Sequence, residues 1–135
     1  MVNKENMRKF IAALRSGNYL QGYGKLEYSD VKDVVRNCCL GVACRVAMAN
    51  GMELETTANV DGLVYSRGSV IGRLPVSFGL DKNALPYVVA EWLGIHQTDP
   101  PLGNQSATQI NDSRDYDFNA IADMFEEQYL EDEEN

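Results

Sequence analysis

Asn37-Cys38-Cys39-Leu40-Gly41-Val42-Ala43-Cys44-Arg45-Val46-Ala47-Met48-Ala49-Asn50-Gly51 is small or apolar on nearly every side. A helix with no polar face has to be covered by other elements, so this stretch predicts a central helix around which the remaining chain is organised. Gly41 and the alanines let neighbouring backbone approach closely, and Asn50-Gly51 supplies the stop. Asn37 is the expected N-cap, which would put the thiols of Cys38 and Cys39 in the first turn.

Amphipathic helices flank this centre. Met7, Phe10, Ile11 and Leu14 recur at the spacing of one helical face, with Asn3 as cap and Gly17 as a left-handed stop. Near the other end, Phe118, Ile121, Ala122, Phe125 and Tyr129 define the buried face of a helix starting at Asp117. A third helix is expected from Asn83 as cap, with Pro86 in its first turn, Leu85, Val88, Val89, Trp92 and Leu93 on one face and Gly94 as the stop. Trp92 reads as core. Ser29 to Arg36 carries Val31, Val34 and Val35 after a Ser-Asp pair and predicts a short helical turn.

Between the central and third helices, Thr56 to Ile71 is the place for a sheet, with a hairpin turning at Asp61-Gly62 and a further short strand near Val70-Ile71. Asn18 to Leu26, with two glycines and two tyrosines, reads as a shaped loop. Ile95 to Gln105 reads as a second loop, and Asn111-Asp112 as a turn into the last helix. The order lacks the strand–helix alternation of a parallel sheet. The expected fold is therefore α+β: four main helices around a small antiparallel sheet, one domain over residues 1–129, then a frayed acidic tail at 130–135.

Composition narrows the classes of function. The 135 residues carry a net charge of −8, and Glu126, Glu127, Glu131, Asp132, Glu133 and Glu134 crowd the last ten positions. Duplex nucleic acid is not an expected partner, because phosphate contacts need clustered Lys and Arg. No apolar run approaches the ~20 residues of a bilayer span, and the amino-terminal residues lack a leader pattern, so a cytoplasmic protein is expected. Vicinal cysteines and an odd cysteine count suit a reducing compartment. Cys-Cys-x4-Cys also lacks the paired spacing of structural zinc, and His96 is the one histidine, so no metal is expected. Asp112, Asp115 and Asp117 resemble a calcium-loop fragment but lack its Gly and closing Glu, and helix capping explains them better. No phosphate loop or dinucleotide fingerprint follows a strand, so no cofactor is expected.

Two constellations could carry function. Arg15, Lys25 and Arg36 surround the loop that holds Tyr19, Gln21 and Tyr23, while Arg67 and Arg73 bracket the hairpin segment. Forked cations, close backbone and aromatic faces are the parts of an anion or nucleotide pocket. The second constellation is Cys38 and Cys39 at a helix start, where the dipole lowers a thiol pKa, with His96 as the available base. Buried packing cysteines are the more frequent outcome for such a pair.

Leu14-Arg15-Ser16-Gly17-x-Tyr19-x-Gln21-Gly22-x-Gly24-x-Leu26, Cys38-Cys39-Leu40-Gly41-Val42-x-Cys44, Leu85-Pro86 with Trp92-Leu93-Gly94, and Asn111-Asp112 before Phe118, Ile121 and Ala122 occur in this order. Together they resemble a family of small uncharacterised proteins of tailed bacteriophages and prophages. The resemblance implies a phage accessory protein, for which a role against host defence in the bacterial cytoplasm is expected, and it carries no activity with it. The first expectation is a non-catalytic protein that captures a small anionic ligand such as a signalling nucleotide. Its rival is an inhibitor of a host protein that uses the acidic tail or an apolar patch. A cysteine-dependent hydrolase is third, and a homo-oligomer is left open.

Overall fold

Asn3 starts helix α1 (Lys4–Arg15) as expected: its Oδ1 accepts from the Asn6 N–H at 3.0 Å, and Met7, Phe10, Ile11 and Leu14 are buried. Gly17, at φ +80°, turns the chain out of the helix. The computed structural model describes residues 2–59, 62–67, 76–77 and 84–131.

Ser29 to Arg36 is not a helical turn. Strands β1 (Glu27–Ser29) and β2 (Val35–Asn37) form an antiparallel hairpin here, with Ser29 paired to Val35. The reason lies in Asp30, whose Oδ1 accepts from the N–H groups of Lys32 at 2.8 Å and Val34 at 3.0 Å. A carboxylate that could cap a helix instead closes a tight turn, helped by Asp33 at φ +62° and by the β preference of successive valines. Arg36 Nε holds the other Asp30 oxygen at 2.7 Å. That bond, before the two turn amides, keeps the Asp30 carboxyl below its usual range. Val31, at the tip, is fully exposed.

Helix α2 (Cys39–Ala49) is central, with eight of its residues buried. Its N-cap is Cys38 rather than Asn37. Asn37 belongs to β2, and its buried side chain donates to Leu26 O at 3.3 Å and to Glu27 Oε1 at 2.9 Å. Glu27 is itself buried and receives a forked pair of hydrogen bonds from Arg45 Nε and Nη2, at 2.7 and 2.6 Å. A Cβ on Gly41 would stand 1.8 Å from Leu26 O, so only glycine lets β1 lie this close to the helix.

Strands β3 (Leu54–Asn59) and β4 (Gly62–Arg67) form the expected hairpin, and β5 (Val76–Ser77) pairs with β4. The sheet order is β2-β1-β4-β3, every pairing antiparallel. Asn59 and Gly62 are the last pair of the β3–β4 register. Val60, Asp61, Val70, Ile71 and the expected cap Asn83 lie outside the described residues.

Helix α3 (Tyr87–Leu93) starts one residue after Pro86, which is the extended N-cap rather than a first-turn residue. Leu85, restrained by the following proline, stays non-helical and donates its N–H to Thr98 O at 2.8 Å. Trp92 is half-buried at the edge of the core rather than inside it. The expected loop from Ile95 to Gln105 contains a small hairpin of β6 (Pro101–Leu102) and β7 (Gln105–Ser106). It leads into helix α4 (Ala107–Asp112), where a turn was expected. Helix α5 (Phe118–Tyr129) then follows its Asp117 cap. Phe10 of α1 meets Phe125 of α5 edge to face at 4.9 Å between ring centres. Leu130, expected in the frayed tail, is 8% exposed and belongs to the core. The fold is α+β. Among the described residues, no helix is long and apolar enough to cross a membrane.

Candidate functional site

The start of α2 is capped from a distance. Cys38 offers no side-chain cap, and the Cys39 N–H donates instead to Oδ1 of Asn111 at 3.1 Å, 72 positions away in the chain. Asn111 is fully buried. Its Oδ1 also accepts from Gln21 Nε2 at 3.2 Å, and its Nδ2 donates to Gly22 O at 2.9 Å and to Asp112 Oδ1 at 3.0 Å. Asp112 Oδ1 takes the Gly24 N–H at 2.9 Å, with Gly24 at φ +82°. Gly22 N–H donates to Asn37 O at 2.7 Å. Asn111 thereby ties Gln21 and Gly22 to the start of helix α2 and to helix α4, while Asp112 adds Gly24 and the Gly22–Asn37 bond adds strand β2. A buried amide with its hydrogen-bonding capacity used in this way orders its surroundings.

α4 places Asn111 there, a helix where the sequence predicts only a turn. Six residues are too few to show helical periodicity, but a capping box was present. Ser106 Oγ takes the Gln109 N–H at 3.4 Å, and Gln109 Oε1 takes the Ser106 N–H at 2.9 Å. Ser-x-x-Gln is a readable start signal.

The thiols are sealed. Cys38, Cys39 and Cys44 are free and buried, at most 1% exposed. Burial pushes the Cys38 thiol up to about 12 and those of Cys39 and Cys44 well above their usual 9.0, overriding the backbone amides that favour the thiolate at Cys38. Cys39 Sγ faces Ala107 O at 3.9 Å. His96 is exposed, in a left-handed backbone conformation. The arrangement expected of a hydrolase, an accessible thiol beside a base, is not assembled.

Of the expected cations, Arg15 and Arg36 are each committed to carboxylates. Arg15 Nη2 is bonded to Asp123 at 2.5 Å and Glu126 at 2.9 Å, both on α5, and the bond to Glu126 leads in raising its pKa. Arg36 is committed to Asp30 and to Gln21 O at 3.2 Å. Lys25 lies 5.8 Å from the ring centre of Tyr28. The Arg67 side chain and Arg73 lie outside the described residues. No cluster of three His, Cys, Asp or Glu suited to a metal occurs among the described residues.

What the structure does assemble is an open groove of two adjoining depressions that share Gln21 and Asp117. One, of about 230 Å³, lies against Leu14, Arg15, Tyr19, Leu20 and Phe118. The other, of about 400 Å³, lies against Tyr23, Arg114, Asp115 and Tyr116. Gln21 Nε2 ties its floor to Tyr116 O at 3.0 Å. Arg114, at φ +68°, lays its guanidinium 4.1 Å from the ring centre of Tyr23. Three expected site residues, Tyr19, Gln21 and Tyr23, are thus brought together with Arg15 at one end. Arg114, Tyr116 and Asp117 complete the groove and were not singled out as binding residues, because only the fold carries them back beside the Gln21 loop.

No curated protein and no solved structure gives a significant match to the chain. A family model matches residues 2–129, a span that contains both the Asn111 junction and the groove, and the chain belongs to that family, described as Domain of unknown function (DUF8296).

Proposed function

We propose that this chain is a non-catalytic binding protein, an accessory protein of the phage type, and that it holds a partner protein in the groove between the Gln21 loop and the start of α5. The observation that carries this reading is the rim itself. Tyr23 and Arg114 are stacked, Tyr116 and Leu20 are 36% and 49% exposed, and the backbone beneath them is tied to buried Asn111. Tyrosine and arginine dominate the binding energy of protein interfaces, and a rim already ordered loses little entropy on binding. The burial of the thiols speaks against chemistry. Capture of a small anion, including a signalling nucleotide, is the second reading, favoured by Arg114, whose stacked guanidinium presents a fixed fork.

The test is affinity capture from the bacterial host with the wild-type chain, Leu20→Asp/Tyr116→Ala and Cys38→Ala/Cys39→Ala. The proposal expects a captured protein that is lost with the groove variant and kept with the cysteine variant. Equal capture by the groove variant removes the proposal. Micromolar or tighter binding of a nucleotide in calorimetry, abolished by Arg114→Ala, would favour the second reading.

A further inference from the structure

Resting on that reading, we infer that Arg114 is the residue by which the groove recognises its partner, its guanidinium receiving the carboxylate of an acidic side chain on the partner chain. Helices α1, α2 and α3 leave through left-handed glycines, Gly17 at φ +80°, Gly51 at +99° and Gly94 at +76°, whereas α4 leaves through Arg114 at φ +68°. Glycine or asparagine suits such an exit, and arginine is strained in it. The other two non-glycine residues in this conformation, Asp33 and His96, are of types that adopt it more readily. Arginine at this position does not serve the backbone, so its head group has to account for it. Arg15, Arg36 and Arg45 are each bonded to carboxylates of the chain. Arg114 is bonded to none among the described residues, and its guanidinium lies against Tyr23, whose N–H donates to Tyr28 Oη at 3.2 Å. Arg8 on α1 is exposed and unbonded too, but no ring holds it. Asp115 and Asp117 share the larger depression with Arg114, and Asp117 Oδ1 is already used by the Ala120 N–H at 2.8 Å. Two carboxylates and two guanidiniums balance along the groove, so long-range charge chooses no occupant. The choice is local. One ordered donor fork is left unfilled, and a planar carboxylate matches it with two parallel hydrogen bonds.

The test selects peptides from a random mRNA-displayed library on the immobilised full chain and sequences those retained. Wild type and Arg8→Gln should enrich a motif with a fixed Asp or Glu, and Arg114→Gly should lose it. For a selected peptide, Arg114→Gly should weaken binding about fivefold or more and Arg8→Gln less than about twofold. Arg114→Lys, which keeps the charge but not the fork, should recover only part of the loss. Arg114→Gly should melt no lower than wild type, because glycine suits the left-handed exit. A clear fall in its melting temperature would make Arg114 part of the frame and overturn the inference. Retained peptides without an acidic preference, the same preference on Arg114→Gly, or no retained peptide would overturn it as well. Displacement of the peptide by an equal concentration of inorganic phosphate would assign the fork to a small anion, with the same consequence. If Arg114→Gly still captures the host protein while Leu20→Asp/Tyr116→Ala loses it, the inference falls and the binding function stands. If the groove variant captures it too, both fall.

Discussion

The loop from Gln21 to Gly24 has two sides, and they differ in kind. On the inner side, Gln21, Gly22 and Gly24 meet Asn111 and Asp112 in hydrogen bonds of 2.9 to 3.2 Å, beside a helix start at Cys39 that is sealed from solvent. On the outer side, Arg114 stacks on Tyr23, and both face the groove together with Tyr116. The residues that look most like a motif, Gln-Gly-x-Gly, Cys-Cys-Leu-Gly and Asn-Asp, build the inner side. They are the frame, and the less conspicuous residues between them form the surface.

The largest effect that would break this comparison is at Asn111. Asn111→Ala leaves the buried Cys39 N–H and Gly22 C=O without their partners, and at about 1–3 kcal/mol for each orphaned group the loss should be about 3 kcal/mol or more. Chemical denaturation reads it directly. A loss below about 1 kcal/mol, an ordinary surface value, would mean that the junction is not the frame. Truncation sharpens the comparison on a smaller scale. Cutting after Glu131 should leave the melting temperature almost unchanged, whereas cutting after Tyr129 removes buried Leu130 and should cost about 1–2 kcal/mol.

Most of the frame was legible in the sequence because its signals are local. The faces of α1 and α5, the all-round burial of α2, the close approach at Gly41 and the hairpin between β3 and β4 follow from periodicity, small residues and turn chemistry. Two of the errors, at Asp30 and Asn37, have one physical origin. Asp30 and Asn37 each carry a side chain that can cap a helix, but Asp30 closes a hairpin and Asn37 is used by Glu27 and Leu26, so the cap of α2 comes from Asn111 instead. A polar side chain shows what it can bond to, and tertiary structure decides which bond it makes. The candidate site was only half legible for the same reason. Tyr19, Gln21 and Tyr23 stand out in a loop, while Arg15 and Arg36 looked available until the fold set Asp123, Glu126 and Asp30 against them.

The claim that the cysteine-bearing helix start is frame rather than active centre is tested most directly by alkylating the native chain with iodoacetamide near neutral pH and counting adducts by mass spectrometry. Burial holds all three thiols protonated, with Cys38 at about 12, so the native chain should take up no label while the unfolded chain takes up three. The sign of the accompanying pH dependence is set by the same cause. The folded pKa values lie above the unfolded 9.0, so this contribution to stability is complete below pH 9.0 and is lost as the pH rises toward 12. Rapid, selective alkylation of Cys38 or Cys39 in the folded chain at neutral pH would contradict the account.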